Sequence, residues 1–155
     1  MAPLIVMLVS WAAARLAGST GFWPQMDSWS GALRVALAAM FAFTGVSHFH
    51  HRTRQDLVRM VPPYLPKPAL LVTITGVVEL IGAAGLLLPT TTAAAAYGMM
   101  ALLVAMFPAN LHAARAGVIV AGRRAMPIVW RTPLQLFWIF ALWWVAQSAP
   151  IAELV

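Results

Sequence analysis

Glu79 is the only acidic residue inside any of the chain's hydrophobic segments. It follows Pro68, where one such segment begins, by eleven residues. At 1.5 Å per residue that is roughly 16 Å of helix, near the middle of a bilayer. A carboxyl at that depth costs several kcal/mol to insert, so it turns toward other helices and finds partners there. Three roles fit it: proton carrier, hydrogen-bond acceptor for a ligand, or metal ligand. The alternative is a structural carboxyl bonded to Thr44, Ser47 or a backbone carbonyl. His48, Asn110 and Gln135 fall toward one common end of their own apolar segments, with His112 close to Asn110. Each has an ordinary explanation. A histidine at a helix end is favoured by the helix dipole, and an asparagine after Pro108 and Ala109 can satisfy carbonyls that the proline frees. Their convergence with Glu79 on one side marks a candidate polar pocket between helices, with His48, Glu79, Asn110 and Gln135 as its ligand-binding residues.

Other chemistries are disfavoured. The chain has no cysteine, which excludes disulfide relays, thiolate metal sites and iron–sulfur clusters built from this chain alone. His48, His50 and His51 do not match a zinc spacing, and no metal site is assigned. A haem between His48 and His112 is open geometrically, but histidine alone does not specify haem. Covalent c-type attachment is excluded because no Cys-x-x-Cys-His is present.

These side chains need helices in lipid to hold them. Of the 155 residues 62% are hydrophobic and only 9% charged, against roughly 25% charged in soluble domains. Intrinsic disorder requires low hydrophobicity and is excluded. Five segments approach the roughly 17–25 apolar residues of a spanning helix. They run from Pro3 to about Ala17, Ser30 to Phe49, Pro68 to Leu88, Thr92 to about Ala114, and Pro133 to about Gln147, with prolines at 133 and 150 framing the last. The first could be read as a signal peptide, but Met1-Ala2-Pro3 lacks the basic residue of such a leader. A retained helix is the expectation.

The net charge of +6 serves topology rather than nucleic-acid binding. One loop holds Arg52, Arg54, Arg59 and Lys67, and another holds Arg115, Arg123, Arg124 and Arg131. The opposite side has only Arg15 and Arg34, both within helix ends from which they can snorkel. The positive-inside rule then predicts a bacterial-type cytoplasmic membrane protein with its N-terminus and basic loops in the cytoplasm and its C-terminus outside. Trp23, Trp29, Trp130, Trp143 and Trp144 lie near segment ends, as interfacial tryptophans do.

Small residues predict tight packing: Ala38, Ala42 and Gly45 in the second segment, Gly76, Gly82, Ala83 and Gly85 in the third, and a stripe of Ala94, Gly98, Ala101, Ala105 and Ala109 in the fourth. In the loop over residues 50–67, Leu57, Val58, Met60 and Val61 are apolar among basic residues, which predicts a short interfacial helix. Prolines then turn the chain back toward the bilayer.

The runs Phe43-Thr-Gly45-Val-Ser-His48-Phe49 and Val61-Pro-Pro-Tyr-Leu-Pro66 are similar to those of the DoxX and DoxX-like membrane family. So are Gly76-Val-Val-Glu79-Leu-Ile-Gly82, Leu88-Pro89, Phe107-Pro-Ala-Asn110 and Pro133-Leu-Gln135, over about residues 30–148. The resemblance implies an all-α fold: a polytopic membrane four-helix bundle over residues 30–149, here with one extra N-terminal transmembrane or anchor helix over residues 1–20. It also implies that His48, Glu79, Asn110 and Gln135 are the recurrent polar positions. Some members of that family are linked to quinone-coupled sulfur oxidation or accompany oxidative-stress enzymes.

Two functional expectations follow. In the first, the protein is a redox-associated subunit that binds a quinone-like or other lipophilic ligand. The four polar residues hydrogen-bond its head, Phe107 and Trp138 cover its ring, and a partner supplies the electrons. In the second, the protein is a non-catalytic accessory or assembly subunit of a larger membrane complex or a homo-oligomer, and the polar cluster is internal glue. A transporter is disfavoured, since neither a repeat nor a broken-helix pair is visible.

Overall fold

A computed structural model describes residues 2–148 of the chain. Met1 and residues 149–155 lie outside it, and with them the last residue of the expected 30–149 domain, Pro150, and the C-terminus whose side was predicted above. Five helices are long and apolar enough to cross a membrane: α1 (Ala2–Ser19), α2 (Trp29–Ser47), α4 (Pro68–Leu87), α5 (Thr92–Ala116) and α6 (Ile128–Ser148). A short helix, α3 (His51–Met60), follows α2, and a two-stranded hairpin of β1 (Ile119–Val120) and β2 (Arg123–Arg124) separates α5 from α6. The protein is therefore a helical one whose apolar helices suit an integral membrane protein.

Local signals set the element ends. The Ser28 side chain accepts a hydrogen bond from the Gly31 N–H at 3.0 Å and caps α2. Pro68 opens α4 at the first helical position, where no N–H is needed. Gly117, at φ 65°, closes α5 in the left-handed conformation that glycine adopts without a Cβ clash. The α6 helix starts at Ile128, five residues ahead of the proline at which the sequence reading placed its start. Pro133 sits in the second turn and removes only the bond to the Val129 carbonyl, so the helix runs through it. The extra turn carries Arg131 out of the loop and onto the helix.

The helix α2 packs on α1, α4 and α6, α4 packs on α5, and α5 packs on α6. Thus α2, α4, α5 and α6 close a ring, and α1 lies against α2 and the 3₁₀ turn Pro24–Met26. Leu37, Met40, Phe41, Leu86, Met99, Leu142 and Val145 fill the centre, joined by Met7 from α1. Lipid is as apolar as leucine, so close fit rather than water exclusion holds such helices together. The α4 glycines mark the closest approaches. A Cβ on Gly76 would meet the His48 side chain of α2, while one on Gly82 or Gly85 would meet Met99 or Ala95 of α5.

The small-residue stripe of α5 does not join this packing. Ala94, Gly98, Ala101 and Ala105 are exposed and Ala109 is half-buried, and a Cβ added at Gly98 would meet nothing within 4 Å. The helix instead buries Thr92, Ala96, Met99, Leu103, Asn110 and Ala113. The two sets are offset by two residues, about 200° around the helix. The physical reason is polar: Thr92 and Asn110 must find partners inside, whereas alanine and glycine lose nothing against lipid.

At one end, α3 lies against α4, α5 and β1. The Arg54 guanidinium donates to the His48 carbonyl at 3.1 Å, the Ala69 carbonyl at 3.2 Å and the Thr73 hydroxyl at 2.9 Å. It thereby closes the last turn of α2 and ties it to the first turns of α4. Asp56 pairs with Arg59 at 3.3 Å and accepts from the Ala121 N–H at 3.0 Å, which fastens α3 to the hairpin. At the other end, Arg15 pairs with Asp27 at 3.3 Å and lies 5.5 Å from the Trp29 ring centre, so its charge is partnered by the protein.

The hairpin turns on Ala121 and Gly122, at φ 50° and 77°, the two positive φ values of a type I′ turn. An L-residue with a Cβ loses about 1–2 kcal/mol in that region, and asparagine tolerates it better. Ala121→Asn should therefore slow exchange of the Ala125 amide, which bonds the Val118 carbonyl across the hairpin at 2.8 Å. A gain of about 1 kcal/mol in protection is expected; unchanged or faster exchange would count against the turn geometry.

Candidate functional site

The four residues singled out by sequence are all buried: His48 is 8% exposed, Glu79 3%, Asn110 8% and Gln135 5%. They come from four helices and sit toward the α3 end of the ring. His48 is the C-terminal cap of α2. It can pack flat on α4 because residue 76 is glycine: a Cβ there would lie 2.5 Å from the His48 Cβ. Its Nδ1 is 2.9 Å from the Thr44 carbonyl and 3.7 Å from Glu79 Oε2. A carbonyl only accepts, so Nδ1 carries the hydrogen and Nε2 is left as the acceptor of the neutral ring.

Glu79 projects inward from the middle of α4, in register with buried Val72, Gly76, Gly82 and Ala83. The Thr44 hydroxyl donates to the Phe41 carbonyl of its own helix at 3.2 Å, and the Arg131 charge acts on the Glu79 carboxyl from α6. Ser47 likewise donates to the Phe43 carbonyl at 2.8 Å, so neither hydroxyl expected as a structural partner is spent on Glu79. Across the ring, the Arg131 guanidinium donates to Asn110 Oδ1 in a short hydrogen bond. The Asn110 side chain is thus turned to α6 rather than to the carbonyls near Pro108. One turn beyond Arg131, Gln135 donates from Nε2 to the Leu103 carbonyl at 2.9 Å. That is next to the Val104 carbonyl, which Pro108 leaves without its helical donor.

The structure thus sets His48 against Glu79 at 3.7 Å and bonds Asn110 to Arg131, whose charge reaches Glu79 without an ion pair, and it places Gln135 one helical turn from Arg131 with its amide spent on α5. His50 and His51 are exposed with their rings 4.5 Å apart, His112 is half-buried, and none of the three bonds to the cluster. Of the aromatic residues expected over a ligand ring, Trp138 is 6% exposed and Phe107 is half-buried. Trp23, Trp29, Trp130, Trp143 and Trp144 are exposed, as interfacial tryptophans would be.

Arg131 is the functional candidate that sequence reasoning missed. Its signal was the spacing of Arg131, Gln135 and Trp138, one face of a helix if the helix is allowed to run through Pro133. Hydrogen-bonding capacity remains unspent here. Glu79 Oε2, Arg131 Nε and Trp138 Nε1 are buried with no hydrogen-bond partner among the described residues. An acceptor on α4 and two donors on one face of α6 are therefore left unsatisfied, a costly arrangement in a low-dielectric interior.

No curated protein and no solved structure matches the chain. A family model described as "Domain of unknown function (DUF8561)" matches residues 37–146, from the middle of α2 almost to the end of α6, and so takes in every member of the cluster. With that match running over well more than half of its length, the chain belongs to the DUF8561 family.

Proposed function

We propose that this protein is a DoxX-like membrane subunit in which the cluster of His48, Glu79, Asn110, Arg131 and Gln135 holds the polar head of a quinone-like lipophilic ligand. The observation that carries the reading is the unspent set of Glu79 Oε2, Arg131 Nε and Trp138 Nε1. A quinol hydroxyl would donate to the carboxylate, and a quinone carbonyl would accept from the guanidinium or the indole N–H. When bound, such a ligand supplies two-electron, two-proton chemistry, with the electrons coming from a partner's redox centre. The chain's own part is to orient the head group and exchange a proton through Glu79 or His48, which face each other at 3.7 Å. In this reading α2, α4, α5 and α6 are the DoxX-like bundle, α1 is an addition to it, and the basic loops lie in the cytoplasm.

Native mass spectrometry of protein released gently from its membrane tests this. The wild type should carry a stoichiometric quinone mass. Glu79→Gln, which keeps shape but removes charge and proton exchange, should weaken retention about tenfold, the loss of one charge-assisted hydrogen bond. Absence of any quinone from the wild type, or equal retention by the variant, would overturn the proposal.

One observation favours the accessory reading instead. The exposed stripe of Ala94, Gly98, Ala101 and Ala105 on α5 is of the kind that lets a second helix approach closely. A fixed larger assembly without a small ligand would be its signature.

A further inference from the structure

The α3 end of the molecule holds a second feature, separate from the buried cluster. A cavity of about 580 Å³ lies between α3 and the first turn of α4, lined by His51, Arg54, Gln55, Val58, Arg59 and Ala69. Its charge is one-sided. Residues 50–68 contain Arg52, Arg54, Arg59 and Lys67 against the single acid Asp56. Asp56 is already engaged by Arg59 and the Ala121 N–H. Arg54 is held by two carbonyls and a hydroxyl, with no carboxylate paired to it among the described residues. An arginine fixed in place presents its charge at a small entropic cost to whatever anion enters.

The surroundings decide the kind of anion. The wall residue Ala69 is in the first turn of α4, and Leu70, Ile74, Val77 and Ile81 further along that helix are exposed large hydrophobic residues. A polar, basic cavity thus opens near the head of an exposed apolar face of α4. A free anion would use only the cavity. A molecule with an anionic head and long apolar tails would use both. Basic pockets at the ends of spanning helices bind acidic lipid heads by this combination.

We propose that the α3–α4 groove is a binding site for an anionic phospholipid, with its phosphate among His51, Arg54 and Arg59 and its acyl chains along Leu70, Ile74 and Ile81 of α4. The head group then neutralises the groove and, through Arg54, bears on the His48 carbonyl. The site would seat an acidic lipid from the same leaflet into which the basic loops emerge.

The test uses the full chain in nanodiscs, followed by native mass spectrometry of lipids retained on ejection. In discs of mixed phosphatidylglycerol and phosphatidylcholine, the wild type should retain phosphatidylglycerol preferentially. Arg59→Gln should lower that preference about fivefold, the change corresponding to about 1 kcal/mol per basic residue. Gln55→Glu should abolish it by placing a carboxylate in the groove, and Gln55 is exposed, so the fold should tolerate the change. Arg123→Gln with Arg124→Gln, on the hairpin outside the cavity, should leave the preference intact. Equal retention of the two lipids would overturn the proposal. So would an equal loss in the hairpin variant, which would mean diffuse surface charge. Competition by millimolar inorganic phosphate as effective as by added phosphatidylglycerol would also overturn it, because the site would then take a free anion.

Discussion

Gly76→Ala is expected to be among the most damaging single-methyl additions to this chain. The new Cβ would sit 2.5 Å from the His48 Cβ and 3.0 Å from both the His48 ring and the Phe49 ring. The far end of a flexible side chain could swing away, but a Cβ moves only with its backbone. Relief therefore requires α2 and α4 to separate or α2 to rotate. Overpacking of this kind costs about 1–3 kcal/mol, and the upper end is expected where backbone must yield. The same displacement would pull His48 away from Glu79. Loss of thermal stability should thus come with loss of ligand retention. Gly98→Ala is the control: it adds the same methyl where nothing lies within 4 Å, and stability should be unchanged or slightly raised by better helix propensity. If the two variants melt together, the close approach at Gly76 is wrong.

Arg131→Met is expected to cost about 2–3 kcal/mol, a hydrogen bond to a charged group together with the penalty for its orphaned partner. The methionine fills much of the space but takes the donor from Asn110 Oδ1 and removes the buried cation whose charge acts on the Glu79 carboxyl across the ring. The informative measurement is a double-mutant cycle with Glu79→Gln, read by denaturation in mixed micelles. Glu79→Gln should recover part of the loss in the Arg131→Met background, because an uncharged amide no longer needs the distant guanidinium. A coupling of about 1 kcal/mol or more is expected, within the range for residues of one network. Strict additivity would show that Glu79 and Arg131 do not sense each other. Arg131→Lys, with the charge but not the planar fork, should fall between.

Much of this arrangement was legible before any coordinates. The apolar run from Pro68 to Leu88 and the helix Pro68–Leu87 differ by one residue, because proline at the start and the change of hydropathy at the end are both local signals. The amphipathic stretch after His50 did form a helix. The burial of His48, Glu79, Asn110 and Gln135 followed from the cost of leaving polar groups in lipid, which holds whatever the neighbours are. Three things were not legible. The stripe of Ala94, Gly98, Ala101 and Ala105 had the right spacing for a packing face, but spacing identifies a face without saying whether protein or lipid meets it. The start of α6 was hidden by Pro133, since a proline near a helix N-terminus reads as a boundary although only one hydrogen bond is lost. Arg131 was consequently counted among loop charges. The hairpin is too short for any periodicity, and its alanine-glycine turn lacks the usual asparagine.

The distribution of the cluster over the chain sets an order of events during synthesis. Its members arrive as α2, α4, α5 and α6 emerge, and the last helix brings both Arg131 and Gln135. Until that helix docks, Asn110 lacks its arginine and the Leu103 carbonyl lacks its glutamine, while Glu79 has only His48 of α2 facing it. Arrival of α6 closes the ring and supplies both missing donors in one step, so the polar bonds of the cluster form together or not at all.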